Sequence, residues 1–288
     1  MDIVPQLIIN SIIAGAIYSL IALGFNLIYG TGKFFDLGYG ALTAVGGYGV
    51  YYLYKSLGLS LFPSVVFAII FSALIGFVVY KLVYAPLIQR KSSTMVMLVA
   101  SLGVLTVIQA IIAILFSSQF QTLTKNSGVD HVYNIFGGVM SQVQLITLIL
   151  SVIVLIIITL IFKFTIFGKS IKAVGDDEEV SKIVGINTGR ILSYVFMIGS
   201  AIAGLAGIMI GFDTGIEPTM GLSLLLKGVI ASIIGGVGNA YGGFLGAFIL
   251  AFAENFGIWH ISGEWKDAIA FVILILFLLF RPQGIFRR

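Results

Sequence analysis

The 288-residue sequence has no cysteine, so disulfides and thiolate metal sites are excluded outright. Its two histidines, His131 and His260, lie far apart, and neither has a partner at the spacing of a helical metal site. Charge is scarce as well. Only 10% of residues are Asp, Glu, Lys or Arg, against roughly 25% in a soluble domain. So sparse a set cannot coat a solvated globular surface, and it offers no grouping that reads as a catalytic centre. A net charge of +4 would suit nucleic acid in a soluble protein, but in a membrane protein the placement of charge matters more than its sum.

What is abundant is apolar sequence. Hydrophobic residues make up 59% of the chain, and the mean hydropathy is +1.12. They fall in runs at 6–29, 36–54, 62–84, 94–116, 143–163, 191–211, 221–236, 240–257 and 268–281. Lipid offers the backbone no hydrogen bonds, so only helices or a closed barrel can span it. Barrel strands alternate polar and apolar residues, and a run such as Leu148–Leu160 does not. A crossing takes about 20 helical residues. The sequence therefore predicts an all-α polytopic membrane protein, a single domain over 1–288, with about eight or nine transmembrane or half-membrane helices. The first run, Ile3 to Tyr29, is long for a signal core and lacks a basic leader, so it reads as a span.

Glycine interrupts this pattern twice. One cluster comprises Gly30, Gly32, Gly38, Gly40, Gly46, Gly47 and Gly49; the other comprises Gly235, Gly236 and Gly238 before Asn239, with Gly242 and Gly243 behind. Short, Gly-interrupted segments in corresponding places of two halves mark broken helices on a transport path, as in an inverted repeat. The same glycines also allow close helix packing. Both readings stand for any single glycine.

Lys and Arg set the orientation. With residue 90 cytoplasmic, alternation places Lys33, Lys81, Arg90, Lys91, Lys163, Lys169, Lys172, Lys182, Arg190, Arg281, Arg287 and Arg288 on that side, leaving Lys55, Lys125, Lys227 and Lys266 outside. The positive-inside rule then predicts an outer N-terminus and a cytoplasmic C-terminus. The outer loops are acidic or neutral, and the longest, about 117–142, is polar.

Residues 163–190 form the one extended hydrophilic stretch inside. Asp176 and Glu179 have capping-box spacing, Lys182 suits a helix C-terminus, and Gly185 suits the residue just past it. Val180, Ile183 and Val184 make an apolar stripe, so a short amphipathic helix is expected from Asp176 to Val184. Anionic headgroups would repel Asp176, Asp177, Glu178 and Glu179. Docking into a groove on a partner protein is favoured over lying on lipid.

Here a resemblance becomes specific. Gly168, Lys169, Ser170, Lys172, Ala173, Asp177, Glu179, Gly185, Ile186 and Asn187 match the coupling loop of ABC importer permeases, in the form found in LivH-type branched-chain amino-acid permeases. The small-residue run Gly199–Gly207, the ending Leu278–Phe286 and the first helix Ile17–Gly30 resemble the same family, so the likeness covers nearly the whole chain. It implies a permease subunit in the cell (inner) membrane, carrying branched-chain or related amino acids, or within the same family urea or short amides. It implies a second permease, two ATPase subunits holding ATP and Mg, and an extracytoplasmic binding protein, with no cofactor on this chain. The ATPase-coupling residues would be Gly168, Lys172, Asp176, Asp177, Glu179, Lys182 and Gly185, and the departure from the family's small alanines falls at Ser181 or Val180. A rival of another class is a channel or secondary transporter that works without an ATPase.

Gly168-Lys169-Ser170 looks like the end of a phosphate loop, but position 163 is Lys where that motif needs Gly. For the translocation path the candidates are Asp36, Tyr39, Gly40, Gly235, Gly236, Gly238 and Asn239. Asp36 and Tyr39 replace the Asn and His usual in the resembled family. Asp36 reads equally as a gate residue, as a partner of Lys33, or as a cap on the following helix. Glu254 reads as reaching the outer interface, Lys227 as a partner of Glu217 or Asp213, and Trp259, Trp265 and His260 as an outer aromatic belt.

Overall fold

The computed structural model describes residues 3–123, 132–135, 137–259 and 262–286. The helices, in order, are α1 (Ile3–Gly32), α2 (Gly38–Val50), α3 (Leu61–Val79), α4 (Ala85–Gln89), α5 (Thr94–Phe116), α6 (Gln142–Phe164), α7 (Ile166–Asp176), α8 (Glu178–Ile183), α9 (Thr188–Asp213), α10 (Met220–Gly235), α11 (Ala240–Gly257) and α12 (Lys266–Phe280). π-helical turns prolong α2 over Tyr51–Ser56 and join α3 to α4 over Tyr80–Tyr84. The polar stretch expected to be plain loop contains a small hairpin of β1 (Val132–Ile135) and β2 (Gly138–Ser141), paired from Val132↔Ser141 to Ile135↔Gly138. Gln6 of α1 grips it: Val139 N donates to Gln6 Oε1 at 2.8 Å. Lys125 and His131 lie outside the described residues, as does His260 of the proposed belt.

Five helices among the described residues are long and apolar enough to cross a membrane: Ile3–Gly32, Leu61–Gln89, Thr94–Phe116, Gln142–Phe164 and Thr188–Asp213. The pair α10–α11 qualifies together as a sixth, bent by 112° at its break. The runs at 36–54 and 268–281 come out shorter, as α2 of 13 residues and α12 of 15. At about 1.5 Å per residue, α12 alone falls well short of the hydrocarbon layer.

The architecture is a core of buried helices, α2 almost entirely so, wrapped by lipid-facing ones. α1 and α9 are mostly buried, whereas α3, α5 and α6 expose most of their apolar surface, including Phe62, Ile114 and Ile156. α1 packs on α11, α9 and α10, and α2 fills the space between α9, α3, α5 and α10. Lipid tails are as apolar as the side chains, so helix association depends on close van der Waals contact. Small residues provide it. A Cβ on Gly40 would lie 2.6 Å from the carbonyl oxygen of Gly221, and the α2–α10 contact holds only because neither residue has one. Much of the first glycine cluster is therefore packing rather than breakage.

Candidate functional site

α7 and α8 form a helical elbow hinged on one residue. Asp177 ends α7 and caps α8 in an extended conformation, its Oδ1 accepting from Val180 N at 2.9 Å. The expected cap, Asp176, is instead the last residue of α7, and Val180 rather than an acid occupies the third helical position, so no capping box forms. Glu178 ties the elbow down: it pairs with Lys182 at 2.7 Å and accepts from Thr188 Oγ1 of α9 at 3.3 Å. At the other end Gly185 N donates to Lys182 O and Ile186 N to Ser181 O, a Schellman stop. Gly185 stands there at φ +87°, a conformation costly for any side chain bearing Cβ.

This short helix turns its apolar stripe outward. Val180, Ile183 and Val184 are 53%, 83% and 68% exposed, while Ser181 is buried on the opposite face. Glu179 is exposed and α8 carries both acids in its first turn. Behind it, α7 is anchored by fit. Thr165 caps it, with Gly168 N donating to Thr165 Oγ1 at 2.9 Å. A Cβ on Gly175 would meet the Gly30 carbonyl oxygen at 2.5 Å, so α7 lies directly on the end of α1. Lys172 is exposed, its Nζ 5.8 Å from the Phe162 ring centroid. Gly168-Lys169-Ser170 sits in a helical turn after another helix, the wrong setting for a phosphate loop.

The second glycine cluster is a genuine break. Gly236 at φ +110° stops α10, Gly238 follows at φ +83°, and Asn239 caps α11 by accepting from Gly242 N at 3.2 Å. Two other parts of the chain hold the break in place. Asn26 of α1 accepts from Gly238 N at 2.8 Å, and its amide donates to Asn239 O at 3.4 Å. The C-terminal tail donates Ile285 N to Ile234 O at 2.9 Å and Phe286 N to Gly235 O at 3.1 Å. Those carbonyls are among the last of α10, which have no partner within the helix. Beside the break lies a cavity of about 320 Å³ whose walls include Asn26, Thr31, Thr159, Lys163, Gly238 and Asn239. Gly235 and Gly236 are buried and do not line it.

Asp36, Tyr39 and Gly40 line neither this cavity nor the larger one described below. Asp36 is 2% exposed; Tyr84 Oη donates to its Oδ1 at 2.5 Å, and the backbone amides of Gly38 and Tyr39 also hydrogen-bond to it. It makes no ion pair with Lys33 among the described residues, so it caps α2 and ties it to the turn after α3. Tyr39 is fully buried and donates to the Ile21 carbonyl at 3.2 Å.

An ionic cluster went unrecognised in the sequence. Glu254, expected at the outer interface, is fully buried between α1, α10 and α12. Tyr18 Oη donates to its Oε2 at 2.7 Å, while Lys227 and Lys266 approach the same oxygen at 3.7 and 3.8 Å. Lys227 pairs with Asp267 at 3.0 Å, not with Glu217 or Asp213. Glu254 Oε1 is buried with no hydrogen-bond partner among the described residues.

Comparison with known proteins agrees across the whole chain. The family model described as the permease component of branched-chain amino acid transport systems matches residues 7–278. The permease protein BraD of the high-affinity branched-chain amino acid transport system of Pseudomonas aeruginosa is 29% identical, over 98% of this chain and 95% of its own length. LivH of the corresponding system of Escherichia coli K12 is 27% identical over the same shares. Among solved structures, PsaBC from Streptococcus pneumoniae in complex with Fab superposes with a TM-score of 0.53 at 16% identity, covering 98% of this chain and 93% of that one. That last likeness is one of fold.

Proposed function

The chain belongs to the family of permease components of branched-chain amino acid transport systems, and from that premise we propose that it is the membrane-embedded permease subunit of an ATP-driven ABC importer for branched-chain or related amino acids. It carries out translocation and no covalent chemistry. ATP and Mg belong to two ATPase subunits, and the assembly is completed by a second permease and an extracytoplasmic binding protein. The Lys and Arg distribution supports an outer N-terminus and a cytoplasmic C-terminus. Counting α2 and α12 with the qualifying spans, and α10 and α11 as half-crossings, supports eight to nine membrane segments.

The observation that carries this reading is the outward stripe Val180–Ile183–Val184 on a helix stopped and capped at both ends. Three exposed aliphatic side chains on so short a helix have no purpose in water, and the acids around them disfavour anionic lipid. An ATPase groove that receives them gains a rigid lever. Motion of α8 passes through Asp177 and the Glu178–Thr188 contact into α7 and α9, and from α7 through Gly175 into the end of α1. α1 also carries Asn26, which clamps the α10–α11 break beside the cavity. ATP-driven movement at the surface thus acts on the break by direct contacts.

The test is co-purification with the ATPases of the system, comparing the native chain with Glu179→Lys and Gly185→Val. Both variants are expected to lose the ATPases or to uncouple hydrolysis from uptake. Full binding and coupling by both would remove the docking claim.

A further inference from the structure

A second cavity, about 1260 Å³, lies away from the helix break, between the α3–α4 turn, the starts of α5 and α9, and the inner face of α8. Five cations line it: Lys33, Lys81, Lys91, Lys182 and Arg190. Lys182 is answered by Glu178. The other four make no ion pair among the described residues, and Glu179 is the one remaining carboxylate on the wall. The coupling mechanism uses none of these four.

Three further observations give this concentration of charge a direction. Two of the three non-glycine residues with positive φ among the described residues are Lys33 (φ +58°) and Lys91 (φ +51°). Both line this cavity. Each stands at a helix stop, Lys33 N donating to Tyr29 O after α1 and Lys91 N to Ile88 O after α4, so the backbone that carries these two cations is fixed at the rim. Next, Thr94 and Thr188 place the N-termini of two long helices, α5 and α9, on the wall; Ser93 and Asn187 cap one amide of each, and the positive ends of the two helix dipoles still favour an anion there. Finally, the wall behind the cations is apolar, formed by Phe34, Leu74, Phe77, Met97 and Met197. Leu74 is itself 51% exposed on the lipid-facing α3.

We infer that this cavity binds the phosphate headgroup of an anionic phospholipid, with an acyl chain lying against the Leu74–Phe77–Met97 wall. A soluble phosphate would use the same cations but leave the apolar wall uncovered, and basic pockets between spans at the cytoplasmic rim suit anionic headgroups. The importer reading supplies only the leaflet, the inner one; the binding site itself stands without it. Because α8 forms one wall, a bound headgroup also bears on the position of the coupling helix from the face opposite its apolar stripe.

The test is native mass spectrometry of the full chain released from detergent, titrated with phosphatidylglycerol, phosphatidylcholine or inorganic phosphate. The native chain is expected to retain phosphatidylglycerol in preference to phosphatidylcholine. Lys91→Gln and Arg190→Gln are each expected to weaken it about fivefold, the equivalent of about 1 kcal/mol per charge near the surface. Glu179→Gln is expected to strengthen it, which keeps the test decisive if a cation variant folds poorly. Lys169→Gln, whose charge lies outside the cavity, is expected to have no effect. Equal retention of both lipids, equal loss in Lys169→Gln and Lys91→Gln, or a chain that holds inorganic phosphate and not lipid would each overturn the inference. None of these outcomes depends on ATPase docking, so the two readings fail separately.

Discussion

Glu254 illustrates what a buried charge in an apolar helix entails. A carboxylate removed from water needs both oxygens answered, yet among the described residues only Oε2 is, by Tyr18, Lys227 and Lys266. Removing Lys227 leaves the buried carboxylate with Tyr18 and Lys266 alone, and so undercompensated. Lys227→Met is therefore expected to destabilise the purified chain by about 3 kcal/mol. Asp267→Asn, at a 65% exposed side chain, is expected to cost less than about 1 kcal/mol. Pairing Lys227→Met with Glu254→Leu should restore much of the loss, since apolar replacement of a buried pair is often neutral. Thermal unfolding in detergent measures all three, and a double variant no more stable than Lys227→Met alone would refute the account. The sequence placed Glu254 correctly along its helix. It could not supply the rotation of α11 that turns residue 254 toward Tyr18 and away from lipid, because that angle is set by packing among chain-distant helices. The same limit hid the partner of Lys227.

At the scale of elements, legibility followed the range of the forces involved. Long apolar runs gave α1, α3, α5, α6 and α9 directly, because crossing a bilayer is a matter of length and composition. The stop of α8 was equally plain, since a positive φ at a helix end calls for glycine and Gly185 supplies it. Its start was misread by one residue, because Asp176 and Asp177 are chemically equal caps and only tertiary geometry decides which is extended. The glycine clusters divided: Gly40 serves an α2–α10 contact, whereas Gly236 and Gly238 make a real break held by Asn26 and the C-terminal tail. That tail yields a prediction. Ile285→Pro removes the N–H that answers Ile234 O, and truncation after Pro282 removes the Phe286 bond as well. Amide exchange in residues 233–239 should accelerate in both, more in the truncation, with stability lower by about 1 kcal/mol per lost hydrogen bond. Unchanged exchange would mean that the tail merely rests on the break.

For the molecule as a whole, the decisive quantity is which ends face which side of the membrane. The native chain has no cysteine, so single cysteines report topology without a background to remove. Ser181 is a natural choice from the sequence, but it is 2% exposed and would label poorly from either side. Ile183, 83% exposed on the same helix, is the better site. The turn between α2 and α3 offers Leu57, 56% exposed and one crossing away from Lys33. In sealed cells a membrane-impermeant maleimide should reach a cysteine at 57 and not at 183, and in inverted vesicles the pattern should exchange. The positive-inside bias supports this orientation because most Lys and Arg near the span ends fall on the side of residue 183. Labelling of position 183 from outside would turn the molecule over. The stripe on α8 would then face the extracytoplasmic space, where no ATPase can receive it, and both the coupling mechanism and the inner-leaflet assignment of the basic cavity would fall together.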